Sequence, residues 1–138
     1  MSARDLFHYA VKTALQKEHW NVVDDPLRFS MDDVTVKIDL GAERLLAAER
    51  LGDKIAVEVK SFVANSVISD FHTALGQCLN YQIMLEEMEP DRTLFLAVPV
   101  DVYETFFQTR FVKLVLTRYP LNILTYDPTS EEILQWIH

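Results

Sequence analysis

The sequence predicts an α/β fold in which a mixed β-sheet is flanked by helices. Apolar residues at helical spacing open the chain, and the first half then changes to a period of two, with turn chemistry between strand-like runs. In the second half, strand-like runs are separated by helix-length segments, which parallel pairing requires. An antiparallel meander followed by helix-linked strands makes a mixed sheet.

The first helix is marked by Leu6, Phe7, Ala10, Val11, Ala14 and Leu15, which form one apolar stripe. Ser2 with Asp5 three residues on gives a capping-box start, and the pattern ends near Trp20. Asn21 to Ser30 reads as a strand interrupted at Pro26, which suits an edge or a bulge. Val34, Val36, Ile38 and Leu40 alternate with Thr35, Lys37 and Asp39, a strand with one buried face. The segment GAERLLAAER (41–50) has helix propensity, yet Leu51-Gly52-Asp53 is turn chemistry before a clear strand. A hairpin folding Leu45–Arg50 onto Lys54–Lys60 is therefore expected, with a short helix as the competitor.

Over Lys54–Phe62, Ile55, Val57 and Val59 point one way while Ala56, Glu58 and Lys60 point the other. A long helix follows from Ser66 to Met88, with Ile68, Phe71, Leu75, Cys78, Leu79 and Ile83 predicted on its core side and Pro90 closing it. The unbroken apolar run LFLAV (94–98) predicts a strand covered on both faces. Asp101 or Thr105 opens a third helix to Tyr119, stopped by Pro120, and Leu121–Tyr126 is another strand. The tail reads as a turn at Pro128 and a returning strand over Ile133–Ile137, in competition with a short helix capped by Thr129.

At 138 residues the chain is expected to be one domain, 1–138. No apolar run approaches the ~20 residues needed to span a bilayer, and the first ten residues lack the order of a signal peptide. One cysteine excludes an intrachain disulfide, and one Cys with four scattered His offers no zinc set. An intracellular, cytoplasmic protein is expected. Acids outnumber bases 21 to 13, for a net charge of -8. Affinity for a polyanion comes mainly from Lys and Arg, so this balance argues against free-standing DNA binding. A DNA substrate would need a local basic patch, metal ions held by the acids, or a partner.

The residues that carry chemistry are Asp39, Glu58 and Lys60. On adjacent strands, they occupy the phase opposite the aliphatic residues. Two carboxylates converging across neighbouring strands can hold Mg²⁺ or Mn²⁺, with waters and a phosphate oxygen completing the shell. Lys60 beside the ion would orient or activate the attacking water and offset developing charge. Charged residues alternating with aliphatics also describe any half-exposed strand, and an ExK triplet is common by chance.

On the long helix, Ser66, Asp70, Thr73, Gln77, Tyr81 and Met84 fall near one line, opposite the Leu75/Leu79 stripe. The Gln77/Tyr81 pair on that face would border the metal site, or else the face is solvated. His8 and Asp5 would extend an acidic pocket, or make a surface contact. His72 is expected to be structural, and His19 and His138 flank element ends. Arg110, Lys113 and Arg118 give the third helix modest positive character, and Cys78 is expected in the core.

The strand pair VTVKIDL and KIAVEVKSF resembles the PD-(D/E)xK nuclease superfamily, with Asp39 and the Glu58-Val59-Lys60 triplet at the motif positions. Gln77 and Tyr81 resemble the Q-x-x-x-Y helix motif of its RecB-like branch. More narrowly, ARDLFH (3–8), KIDLGAE (37–43), KIAVEVKSF (54–62), SDFHTALGQCLNY (69–81) and LAVPVDVYETFF (96–107) resemble the XisH family, cyanobacterial factors that control excision of the fdxN DNA element. That resemblance runs almost end to end. It implies a restriction-endonuclease-like fold, a role in site-specific DNA rearrangement, and partners comprising DNA, a small XisI-like protein and a recombinase, with a homodimer expected. It leaves two readings, an active endonuclease or a catalytically silent accessory that directs the recombinase. Ile38 stands where the nuclease motif has Pro. The nineteen-residue step from Asp39 to Glu58 implies a bulge or insertion around Gly41–Leu45.

Overall fold

The computed structural model describes residues 2–31, 34–36 and 45–138. Helix α1 (Ala3–Lys17) starts at Ser2, whose hydroxyl accepts from the Asp5 backbone while the Asp5 carboxylate accepts from Ser2 N. The expected capping box is thus complete. Ala10, Val11, Ala14 and Leu15 are buried as predicted, but Leu6 is 57% exposed. The predicted stretch Asn21–Ser30 divides between two sheets. β1 (Asn21–Asp24) is an edge strand of the main sheet, irregular between Val22 and Asp24, and β2 (Phe29–Met31) pairs with β3 (Val34–Val36) in a sheet of two.

Among the described residues the main sheet has six strands in the order β1-β4-β5-β6-β7-β8, where β4 is Leu45–Arg50, β5 Asp53–Val59, β6 Arg92–Pro99, β7 Asn122–Asp127 and β8 Glu132–Ile137. β5, β6 and β7 run parallel, and the flanking pairs are antiparallel. The chain is therefore a mixed α/β protein, as its patterning predicts. Segment 45–50 is a strand, paired from Leu45↔Glu58 to Arg50↔Asp53. Its turn takes Leu51 (φ 51) and Gly52 (φ 86) through the left-handed region, as a two-residue hairpin of this hand requires.

One face of the sheet packs on α1. Its core joins Ala10, Val11, Leu15 and Trp20 to Ile55, Val57, Val59, Phe95, Ala97, Leu124 and Tyr126. The other face carries both crossovers: α2 (Val67–Met88) between β5 and β6, then α3 (Val100–Glu104), a 3₁₀ turn (Phe106–Gln108) and α4 (Arg110–Arg118) between β6 and β7. Because β6 is covered on both sides, its run from Leu94 to Val98 is apolar without a break.

Two helix expectations need correction. The third helix is broken, because Thr109 is extended (ψ 151) and its hydroxyl caps α4 at Val112 N. The break lets Phe107, 2% exposed, meet Phe62 and Phe71 edge-on at 5.7 Å each. On α2 the buried stripe is Phe71, Ala74, Cys78, Tyr81, Met84 and Leu85. Ile68 and Ile83 are 39% and 59% exposed, and Leu75 and Leu79 are only partly buried. This stripe brings Ala74 and Cys78 into one core layer with Leu94, Leu96 and Val98 of β6. At the chain's other end, Asp127 Oδ1 accepts from Thr129 N and Ser130 N. This turn returns the chain as β8 and settles the choice against a terminal helix.

Phe71, 1% exposed, also makes an edge contact with Phe106 at 5.6 Å and so joins α2 to the broken crossover. Phe71→Ala is expected to lower stability by about 3–5 kcal/mol, read from urea denaturation midpoints at unchanged slope.

Candidate functional site

The parallel ladder between β5 and β6 sets the site. Glu58 lies opposite Leu45 on β4 and Leu96 on β6, on the face under α2. Lys60 follows the end of β5. Its backbone N–H donates to Ala97 O at 3.3 Å, and its carbonyl accepts from Tyr126 Oη at 3.0 Å. The backbone is thus pinned from both β6 and β7. Phe62 then turns the chain at φ 56, a left-handed conformation that costs a non-glycine residue about 1 kcal/mol and is held by burial of its ring.

Glu58 and Lys60 are almost wholly buried, at 1% and 7% exposed, with Lys60 Nζ 3.9 Å from Glu58 Oε1. That separation is beyond hydrogen-bonding distance, so Coulomb attraction alone joins them. Burying a carboxylate and an ammonium costs several kcal/mol per ion. Cys78 lies over the pair. Burial raises its thiol far above the ordinary value, the Glu58 charge adds to this, and Lys60 opposes it. The expectation of a core cysteine holds, and its surroundings show that the middle of α2 covers the pair.

Gln77 is half-buried, and its Oε1 is buried without a hydrogen bond among the described residues. Tyr81 is 4% exposed and belongs to the core layer, not to a face opposite it. The reason is the stripe correction above, which turns the Gln77/Tyr81 side of α2 toward the sheet. Thr125, 1% exposed, is a residue the sequence reading missed. It stands beside Val98 on the same face as Ile123, with its hydroxyl buried and unbonded among the described residues. Only its place as a small hydroxyl residue beside the aliphatic Ile123 and Leu124 could have flagged it.

Asp39 lies outside the described residues, as does the segment Gly41–Arg44 in which an insertion was expected. The strand Val34–Val36 that leads to Asp39 pairs with β2, and the sheet neighbours of β5 are β4 and β6. Among the described residues, no three His, Cys, Asp or Glu side chains are grouped to hold a metal. Glu58 and Gln77 nevertheless supply hard oxygen donors of the kind Mg²⁺ takes directly or through water, so the residues present fit such an ion.

Asp5 closes the capping box. His8, expected at the surface, is 5% exposed, with Nε2 3.0 Å from Asp25 Oδ2. Lys12 Nζ reaches the same oxygen at 3.1 Å. Burial by itself raises the Asp25 carboxyl, but the Lys12 hydrogen bond and the His8 and Lys12 charges outweigh it and hold it below its ordinary value. This cluster ties α1 to the chain leaving β1. His72, Arg110, Lys113 and Arg118 are exposed. No helix among the described residues is long and apolar enough to cross a membrane.

Fold and site together define a mixed α/β protein with a buried glutamate–lysine pair at the carboxyl end of a central strand. A family model described as XisH protein matches residues 1–134, and the chain belongs to that family. It is similar to the crystal structure of an fdxN element excision controlling factor protein from Anabaena variabilis, at 51% identity and TM-score 0.89 over 97% of this chain and 99% of that one. It is likewise similar to an XisH family protein from Nostoc punctiforme PCC 73102, at 47% identity and TM-score 0.90 over 97% and 100%. No curated protein matches.

If the buried pair is kept for function, stability should improve without it. Replacing both charges, Glu58→Leu with Lys60→Met, is expected to leave stability unchanged or raise it by about 1–4 kcal/mol, whereas Glu58→Leu alone costs about 3–5 kcal/mol. Chemical denaturation of the three proteins checks this.

Proposed function

We propose that this protein controls excision of a DNA element, and that it does so on a restriction-endonuclease-like fold as a Mg²⁺-dependent endonuclease. The name of the Anabaena variabilis relative supports the first part, at an identity that makes a shared role the simplest reading. One observation carries the second: a carboxylate and an ammonium buried together at 3.9 Å on the end of a central strand, where packing alone would favour apolar residues. Ligand sites in open α/β sheets sit at the carboxyl ends of the strands, where this pair lies.

In this reading Asp39 joins Glu58 as the second carboxylate of the metal site. The bound Mg²⁺ or Mn²⁺ supplies Lewis acidity and neutralises phosphate charge. Lys60, with its backbone fixed by Ala97 and Tyr126, holds the attacking water and offsets charge on the phosphorane. Gln77 Oε1 accepts a hydrogen bond from that water or from one in the ion's shell. Tyr81 is a positioning residue, packed so that α2 stays over Glu58. DNA, a small XisI-like protein and a recombinase are the partners this role calls for.

The net charge of -8 favours a second reading, a catalytically silent accessory that directs a recombinase through protein contacts. A supercoiled-plasmid assay with Mg²⁺ or Mn²⁺ separates the two. The endonuclease reading expects nicking that falls at least about a hundredfold in Glu58→Gln and in Lys60→Ala. A folded wild type that leaves the plasmid intact with either metal, alone and with its recombination partners, would establish the silent accessory.

A further inference from the structure

Among the described residues, one helix covers the face of the sheet under α1, and the starts of β5 and β6 are left open. There a cleft of about 480 Å³ forms, lined by Trp20, Phe95, Trp136 and His138 together with Arg50, Asp53, Lys54, Asp91 and Thr93. It lies at the opposite end of β5 from Glu58 and has no part in the proposed chemistry. The volume is in the range of small-molecule sites. We propose that this cleft binds a flat nitrogenous heteroaromatic ligand of the nucleoside class.

The wall is preorganised by Glu18. Its carbonyl accepts from Arg50 Nη1 at 3.0 Å, and its carboxylate accepts from Trp136 Nε1 at 3.2 Å. Arg50 in turn lies over the Trp20 ring, 4.4 Å from its centroid. Trp20 and Trp136 sit 5.9 Å apart, and Phe95 meets Trp136 edge-on at 4.9 Å. Of these rings Trp136, held by Glu18 and Phe95, offers stacking without the entropy cost of ordering it on binding. Trp136 and His138 keep ring area open to the cleft, whereas Phe95 is almost fully covered.

The polar groups select the ligand. Asp53 and Asp91 accept hydrogen bonds, Lys54 donates, and Thr93 does either, which suits a base that has both ring acceptors and an amino donor. Charge selects further. Arg50 is committed to Glu18 and Trp20, and Asp53 and Asp91 bring two carboxylates to the lining beside Lys54. A nucleoside is favoured over its triphosphate or a base carried on a strand.

Both tryptophans of the chain line this cleft, so tryptophan emission reports on it. Titrating the four ribonucleosides, their triphosphates and a short single-stranded oligonucleotide is expected to give saturable quenching by at least one nucleoside. Binding should be roughly tenfold or more weaker for its triphosphate and for the strand. Thr93→Phe, which fills the cleft from an exposed strand position, should abolish the response while circular dichroism and plasmid nicking stay as in the wild type. No saturable response to any nucleoside would overturn the proposal. So would equal or tighter binding of the triphosphate or strand, or a response that survives in a folded Thr93→Phe. The proposal stands or falls apart from the reading of Glu58, whose loss leaves this titration unchanged.

Discussion

The structure depends on a constraint on β5, a strand hydrogen-bonded on both sides that must bury both faces. Its N-terminal turn commits it to β4 in antiparallel register, and the α2 crossover commits it to β6 in parallel register. Ile55, Val57 and Val59 meet the burial requirement toward α1, as Ala56 does toward α2. Glu58 meets it with a carboxylate that is 1% exposed. A side chain so costly to bury, at a position where valine or leucine would serve the fold, is the observation that motivates the proposed metal site.

The surrounding layer is consistent with that requirement. The middle of α2 lies over the pair, and Lys60 is held by backbone bonds to two other strands. Gln77 and Thr125 bring buried polar atoms to the same face. These groups form a polar interior in which Gln77 Oε1 and the Thr125 hydroxyl lack a hydrogen bond among the described residues. That combination is unfavourable for stability and useful where water, an ion or a phosphate is to be received. The loose 3.9 Å contact between Glu58 and Lys60 has the same sense, since a pair built for stability would close to a hydrogen bond.

Much of this is legible in the sequence because β5 and β6 obey simple periodicity. Alternation places Glu58 and Lys60 on one face, and the apolar run of β6 predicts cover on both sides. The Leu51-Gly52 turn overrides the helix propensity of the residues before it. The misreadings share a cause, which is that burial is decided by what the partner surface accepts. α2 has a wide apolar arc, and packing against the sheet selects the stripe through Phe71, Ala74 and Cys78. Thr109 breaks a helix that periodicity would continue, because Phe107 packs better from a kinked chain. His8 looks like a surface histidine until Asp25, seventeen residues on, is folded against it. The role of Asp39 is carried by motif resemblance and not by geometry, since it lies outside the described residues.

The central claim is that Glu58 is kept to hold an ion together with Asp39. Calorimetric titration of Mn²⁺ into the wild type, Asp39→Asn and Glu58→Gln tests it most directly, with folding of each variant confirmed beforehand. A saturable wild-type site lost in both variants is the result this account predicts. A folded wild type that binds no Mn²⁺, or binding that survives both substitutions, would contradict it.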